Sequence, residues 1–519
     1  MPRRIRPNAF AQLWIRLPAV RRGTAPPPSR WRAVAPYRLR YKTDGDRADD
    51  HQQESILRKF LETGATTLAA LLMLGLGGYG YQEYYKKQVL RKIDHAFAGG
   101  LFSSLEEAAL AQYGDVEHMF HIARPEQSLI DHIISGSARG SYFLLFGEKG
   151  TGKSSMLLDS MQKVDGEGVA MFEAHSDNEV FRLRLGKALD YEYHEDYIGG
   201  LFSMKGPRDG ATPILDIERA LNKFEKVALQ RRNASHGRRP LVLIISNIHH
   251  IPDDVDGQRL LSLLQQRAEL WAASGLVTLV FTSDVYRTME TLRLHATRMQ
   301  LLNVQDVPRD VAVEALRRYR VETRGESMSS SLLDEIYSRV GGRLIFLDQV
   351  ARSKNMLETA QSICQKEQRW LLSKCWILGQ DMDEKAESQQ EYSAAAMTLA
   401  QALVSMENDN PTPTSPPRIP LHKAQELMTR ADFIPRLDQQ NIIAIDADGM
   451  VRADSMPMQN AFRAVCSEPG FDAHLKATNE RLDELESLGR TTELTVKDLV
   501  DGEYELSSKH GDGFVIRRR

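Results

Sequence analysis

The sequence predicts an α/β fold with a three-layer core and a mostly parallel sheet, and three observations lead there. Strand-length runs such as LVLIIS (241–246) and LVTLVF (276–281) are apolar nearly throughout instead of alternating, as strands buried on both faces are. Helix-length segments separate them, so strand and helix take turns along the chain. A glycine-rich stretch, GEKGTGKS (147–154), joins the first of these strands directly to a helix. At 519 residues the chain is too long for one ordinary domain, and two to four units are expected.

The first 41 residues contain ten arginines, no lysine and no acid, with Leu, Ile, Trp and Phe between the arginines. That is the composition of a mitochondrial presequence; a basic nucleic-acid tail is the rival reading. Without this stretch 57 basic residues face 70 acidic ones, so the body is acidic although the whole chain carries only −3. Residues 42–62 read as a linker. Residues 63–82, TGATTLAALLMLGLGGYGYQ, carry no charge. As a helix they extend about 30 Å, the depth of a bilayer core. Tyr79, Tyr81, Tyr84 and Tyr85 gather at the end of this transmembrane helix, with Lys86 and Lys87 beyond, as an interfacial belt does. A buried Gly/Ala-rich helix is the alternative. Presequence plus one span points to the mitochondrial inner membrane, single-pass. Stop-transfer places the soluble body in the intermembrane space, while the basic flank of Lys86, Lys87, Arg91 and Lys92 argues for the matrix; the intermembrane space is slightly favoured. A helical connector fills 83–119. Three cysteines without a CxxC pair imply neither a disulfide scaffold nor a zinc site.

The core is expected over 120–306. In the strand–loop–helix at 142–161, Gly147, Glu148, Lys149, Gly150, Thr151, Gly152, Lys153 and Ser154 form a phosphate-binding loop. Its glycines let backbone N–H groups wrap phosphates at a helix N-terminus. Lys153 is expected to reach the β- and γ-phosphates of ATP, and Ser154 to ligate Mg²⁺. LVLIISNIHHI (241–251) is the strand that in such proteins ends in two acids, one holding the Mg²⁺ shell and one polarising water. Here Ser246 and Asn247 stand at its end. Asn orients water but takes no proton, so hydrolysis is expected to be weak or absent unless another base enters, His249 and His250 being nearby. Thr282 and Ser283 close the next strand, where a polar residue senses the γ-phosphate or merely caps the strand. MQLLNVQDV, from Met299, reads as the last core strand.

Three short helices follow as a lid over 307–365. Arg343, after Gly341-Gly342, is placed to lean over the nucleotide as a second sensor; Arg298 and Arg293 lie where an arginine finger facing a neighbouring subunit sits. Each is otherwise a solvated surface arginine. Residues 366–468 give helices, a Pro-rich break and a hairpin turning at Asp448-Gly449, the outline of a winged helix. Its recognition-helix candidate carries Arg436 but also Asp432 and Asp438, which favours protein contact or packing over duplex binding. A helix and a small strand pair close the chain over 469–519.

In this order IARPEQSLIDHII (122–134), GEKGTGKS, LVLIISNIHHI, LVTLVFTSD and GGRLIFLDQVA, followed by the winged-helix outline, resemble the AAA+ superfamily in its archaeal-ATPase or origin-recognition-like branch. The resemblance covers roughly 120–465 and looks closest to fungal membrane-anchored mitochondrial ATPases. It implies a P-loop AAA+ core that binds ATP and Mg²⁺, assembles into homo-oligomers and remodels a protein or nucleoprotein partner. The departure at Ser246 and Asn247 makes a nucleotide-dependent switch or scaffold the first expectation, an active remodelling ATPase the second, and a membrane-tethered DNA-binding adaptor the third.

Overall fold

The structure, a computed structural model, describes residues 49–100, 122–193, 212–234, 239–377, 384–409, 416–497, 504–509 and 513–518; the presequence assigned to 1–41 lies outside them. It divides into two units, Met1–Leu76 and Gly77–Arg519. Helix α1 (Asp49–His95) begins in the first, where Leu68, Leu71, Leu72 and Leu76 are exposed. The stretch expected as a linker is helical from Asp49, because nothing between it and the apolar segment breaks the helix. Leu61–His95 is long and apolar enough to cross a membrane by length and composition.

In the second unit, the last turns of α1 are amphipathic. Val89, Ile93 and Phe97 are buried, and Phe97 stacks on Phe224 with 5.0 Å between ring centroids. Fully burying a side chain of this size contributes about 1.5–3 kcal/mol.

The core sheet contains β1 (Tyr142–Phe146), β2 (Val169–Glu173), β3 (Leu241–Ser246), β4 (Val277–Ser283) and β5 (Met299–Asn303), all parallel, in the order β2-β3-β4-β1-β5. Successive residues of each strand enter opposite clusters: Leu144, Leu243 and Leu279 face one side, Phe143, Val242 and Val280 the other. Helices α2 (Gln127–Ile134) and α3 (Lys153–Lys163) cover the second side. The first is covered by α4 (Asn178–Ala188), α5 (Pro213–Ala234), α6 (Val255–Ser274) and α7 (Tyr286–Arg293). This is the expected three-layer arrangement. Helix α6 is defined at both ends: the Asp254 carboxylate accepts from Gly257 N at 2.7 Å, and Gly275 closes it with φ 62°.

The lid comprises α8 (Arg309–Arg324), α9 (Ser330–Val340) and α10 (Leu344–Arg352) around Leu316, Leu333, Ile336 and Leu347. Helix α11 (Met356–Cys375) begins in that cluster with Met356 and Ala360 and ends in the next with Leu371 and Cys375. The boundary expected at 365/366 therefore falls within one helix.

The winged-helix part follows: α12 (Glu384–Asp409), β6 (Ile419–Pro420), α13 (Leu421–Met428), α14 (Phe433–Gln439), β7 (Ile443–Ile445), β8 (Met450–Ala453) and α15 (Met456–Cys466). The hairpin turns where expected, with the Asp446 carboxylate accepting from Asp448 N and Met450 N and Gly449 at φ 74°. Strand β6, which pairs with β8, was not anticipated; two residues are too short to carry a periodic signal. Helix α16 (Phe471–Lys497) buries Leu475 against this domain, and β9 (Tyr504–Lys509) pairs antiparallel with β10 (Gly513–Arg518).

Candidate functional site

The loop between β1 and α3 has the backbone a phosphate cradle needs. Gly147, Gly150 and Gly152 have φ of 155°, 82° and 99°. A Cβ on Gly147 would lie 2.2 Å from the Val304 carbonyl oxygen, so side chains are excluded there for lack of space as well as conformation. Lys153, the first residue of α3, is 6% exposed and donates to the Gly147 and Glu148 carbonyls at 2.7 and 2.9 Å. Ser154 is exposed in the cleft beside it.

That cleft has a volume of about 520 Å³, within the range of small-molecule sites. Ile122, Leu344 and Ile345 form an apolar wall, and Ile345 N donates to the Gly150 carbonyl at 3.2 Å, which fastens the lid to the loop. Arg124 donates to the carbonyls of Thr151, at 2.9 Å, and Gln305, tying the loop to the segment after β5.

At the end of β3 the two residues standing where acids were expected behave differently. The Ser246 hydroxyl is buried and donates to the Phe172 carbonyl of β2 at 3.1 Å, away from the cleft. Asn247 lines the cleft in a left-handed conformation (φ 54°, ψ 45°); its N–H donates to Thr282 Oγ1 at 2.8 Å and its Nδ2 to Glu173 Oε1 at 2.8 Å. Thr282 thereby joins the ends of β3 and β4, while Ser283, fully buried, accepts from Val285 N at 3.3 Å. Neither hydroxyl is among the groups lining the cleft.

Three carboxylates do line it: Asp159 and Asp348, which pair with Lys163 and Arg352, and Asp284, which lies against Lys153. Asp284 follows β4, which is the strand beside β1; Ser283 pairs with Phe146, so Asp284 comes level with the start of the loop. Its Oδ1 lies 2.8 Å from Lys153 Nζ. His249 braces it: Asp284 N donates to His249 Nδ1 at 3.3 Å. Burial is the main reason that the imidazole is pushed down to about 4, with His250 and Lys153 adding and Asp284 opposing. His249 is therefore neutral near pH 7, with Nδ1 engaged and its proton on Nε2, which is poor equipment for a base. The sequence contained the signal for Asp284, an acid directly after a buried strand, but not the strand order that places it beside the loop.

Arg343 is corrected in position. It is 2% exposed and does not line the cleft. Its guanidinium lies behind the loop, donating to the Lys149 carbonyl (2.9 Å), to Asp306 (2.7 Å) and to Asp454 of the winged helix (3.2 Å). Burial works against its charge, but Asp306 and Asp454 hold the guanidinium firmly protonated. The lid arginine that does line the cleft is Arg352, nine residues on, paired with Asp348 at 2.7 Å. Arg298 and Arg293 are exposed; Arg298 precedes β5, at the opposite end of the sheet from the loop, out of reach of this chain's own cleft.

Glu148 joins the same buried cluster through an ion pair with Arg452 of β8. Nearby Asp438 of α14 accepts from Tyr286 N at 3.0 Å; burial above all, with Asp454 and Glu148, pushes its carboxyl up to about 8. The proposed recognition helix buries Phe433, Ile434 and Leu437 within the winged-helix cluster, is tied to α7 of the core through Asp438, and stacks Arg436 over Tyr392 at 4.2 Å.

Residues 373–486 match the family described as fungal AAA protein, C-terminal winged helix domain. No curated protein matches the chain in sequence. Among solved structures, it is similar to the Walker-type ATPase PABY2304 of Pyrococcus abyssi, at 14% identity, over 66% of this chain and 96% of that one, with a TM-score of 0.43. Aeropyrum pernix Orc1 in complex with DNA matches at 15% identity over 69% and 96%, with a TM-score of 0.30. The RuvB Holliday junction branch migration motor of Thermotoga maritima matches at 12% identity over 67% and 96%, with a TM-score of 0.28. The chain has a parallel five-stranded sheet flanked by helices, followed by a C-terminal winged-helix-like domain.

A nucleoside triphosphate fits the residues present: three glycines at positive φ, a buried lysine beside them and an apolar wall. No group of three or more His, Cys, Asp or Glu that would hold a metal occurs among the described residues. Mg²⁺ would be held by Ser154 and the phosphates, neutralising their charge.

Proposed function

We propose that the protein is an Mg²⁺-ATP-dependent remodelling ATPase that acts on a protein or nucleoprotein partner. The observation carrying this is the grip of the winged helix on the phosphate loop: Arg452 pairs with Glu148, and Arg343 links the Lys149 carbonyl to Asp454. A ligand that draws Lys153 off the Glu148 carbonyl disturbs the residue the winged helix holds, so occupancy and domain position are coupled. This reading is preferred over the hydrolysis-poor scaffold expected from Ser246 and Asn247, because Asp284 keeps a carboxylate beside Lys153 in the cleft.

In this proposal the chain is a homo-oligomer in which Arg298 faces a neighbour's nucleotide, and Arg352, rather than Arg343, meets the nucleotide from the lid. Helix α1 anchors the protein in the mitochondrial inner membrane, with the body in the intermembrane space. Direct DNA binding through α14 is not favoured, since Asp438 ties that helix to α7, Arg436 is stacked on Tyr392 and Asp432 lies at its start.

Binding of a fluorescent ATP analogue to the full chain in detergent micelles tests the reading. Wild type should bind with Mg²⁺, and Lys153→Ala should weaken binding by about 100-fold, some 2.7 kcal/mol. Equal binding by both, or none by either, contradicts it. For the location, protease should reach the body once the outer membrane is ruptured; protection until the inner membrane is opened would move it to the matrix.

A further inference from the structure

The end of β3 supplies no acid, yet two carboxylates stand at the ends of its neighbours, Glu173 on β2 and Asp284 after β4. They are not equivalent. Glu173 is nearly half exposed, lies on the strand farthest from the loop, and is bound to Asn247 and Arg184. Asp284 lies on the strand next to β1, lines the cleft and touches Lys153.

We propose that Asp284 is the carboxylate that orients and deprotonates the attacking water, having moved the acid from β3 to β4. The proposal rests on the reading of the cleft as an ATP site. Lys153 covers the carboxylate and is itself held by the loop carbonyls. A triphosphate offers the ammonium a stronger anion, and Asp284 is uncovered only when there is something to hydrolyse. Asn247, at the adjacent strand end, remains to hold the water as a donor or acceptor. His249 acts as a positioning residue, fixing the Asp284 backbone through Nδ1.

The step balances. The water oxygen bonds to the γ-phosphorus while its proton passes to Asp284. The bond from phosphorus to the β–γ bridging oxygen breaks, with the electron pair leaving on ADP, and the carboxyl later releases its proton to solvent. A well-placed base contributes about 10²–10⁴-fold.

The test measures phosphate release and the identity of the bound nucleotide in the full chain, comparing wild type, Asp284→Asn, Asp284→Glu and Glu173→Gln, each checked for an unchanged thermal melt. We expect Asp284→Asn to bind Mg²⁺-ATP at least as tightly as wild type, since a negative charge beside the phosphates is gone. Its turnover should fall by about 100-fold or more, with the bound nucleotide recovered as ATP. Asp284→Glu should restore part of the rate, and Glu173→Gln should stay within about threefold of wild type. If Asp284→Asn loses binding and turnover together, if its turnover falls by less than about tenfold, or if Glu173→Gln shows the larger loss, the proposal is overturned. Wild type that binds ATP without turning it over also overturns it while leaving the ATP site in place; wild type that binds no ATP removes the underlying reading instead.

Discussion

The phosphate loop has a front and a back, and they are built on opposite principles. In front, Lys153, Asn247, Asp284 and Arg352 line an open cleft, and each holds its present partner through bonds that a ligand can exchange. Behind, Glu148, Arg343, Asp454 and Arg452 form a buried charge cluster, with the half-buried Asp306 at its edge. The same short stretch serves both: the Glu148 carbonyl accepts from Lys153 while its carboxylate pairs with Arg452. The difference teaches where each kind of residue acts. Front residues are positioned for a ligand, and back residues carry its presence into the winged helix.

The comparison breaks most visibly at the back. Arg343→Ala leaves the buried Asp454 and the half-buried Asp306 without their guanidinium, and should cost about 3–5 kcal/mol, read as a lower midpoint in denaturant. A loss below about 1 kcal/mol, the size of a surface pair, would mean that the cluster is solvated.

Next in size is coupling. Arg452→Gln should weaken Mg²⁺-ATP binding by about tenfold, some 1.4 kcal/mol, because Glu148 then presents an unpaired charge close to the phosphates. The double variant with Glu148→Gln should recover most of that loss, the signature of a pairwise interaction in a titration series.

The pH dependence should differ in sign between the two faces. His249 is held at about 4 against 6.5 unfolded, so the unfolded chain binds more protons between those values. Stability from this group is present above about 6.5 and lost as pH falls towards 4. Asp438 is raised to about 8 from 3.8, so the folded chain binds more protons, and its contribution is present below about 4 and lost as pH rises to 8. Melting temperatures should show Asp438→Asn gaining on wild type towards pH 8, and His249→Gln gaining on it towards pH 4.

The smallest effect expected is at Ser246. Its hydroxyl satisfies only the Phe172 carbonyl, so Ser246→Ala should cost about 1 kcal/mol of stability and leave phosphate release unchanged. A large kinetic effect would return Ser246 to the metal shell.

What was legible in the sequence was local. The loop from Gly147 to Ser154 declares itself because strand, glycines and lysine are consecutive, and the hairpin at Asp448-Gly449 for the same reason. What was not legible depended on pieces far apart in the chain. Ser246 and Asn247 stand out in the sequence because they end the expected strand, whereas Asp284 matters because β4 lies next to β1, which no single strand reveals. Arg343 and Arg352 belong to one short stretch, yet the first turns into the cluster and the second towards the cleft; only Asp306 and Asp454, 37 and 111 residues away from Arg343, decide which.

The proposed coupling of nucleotide to winged helix is tested most directly by amide hydrogen exchange over 443–455, with and without Mg²⁺-ATP, in wild type and in Glu148→Gln. The account predicts that nucleotide changes exchange in this segment of wild type and leaves it unaltered when Glu148 no longer carries a charge for Arg452. Nucleotide that binds tightly to wild type without changing exchange there would contradict it.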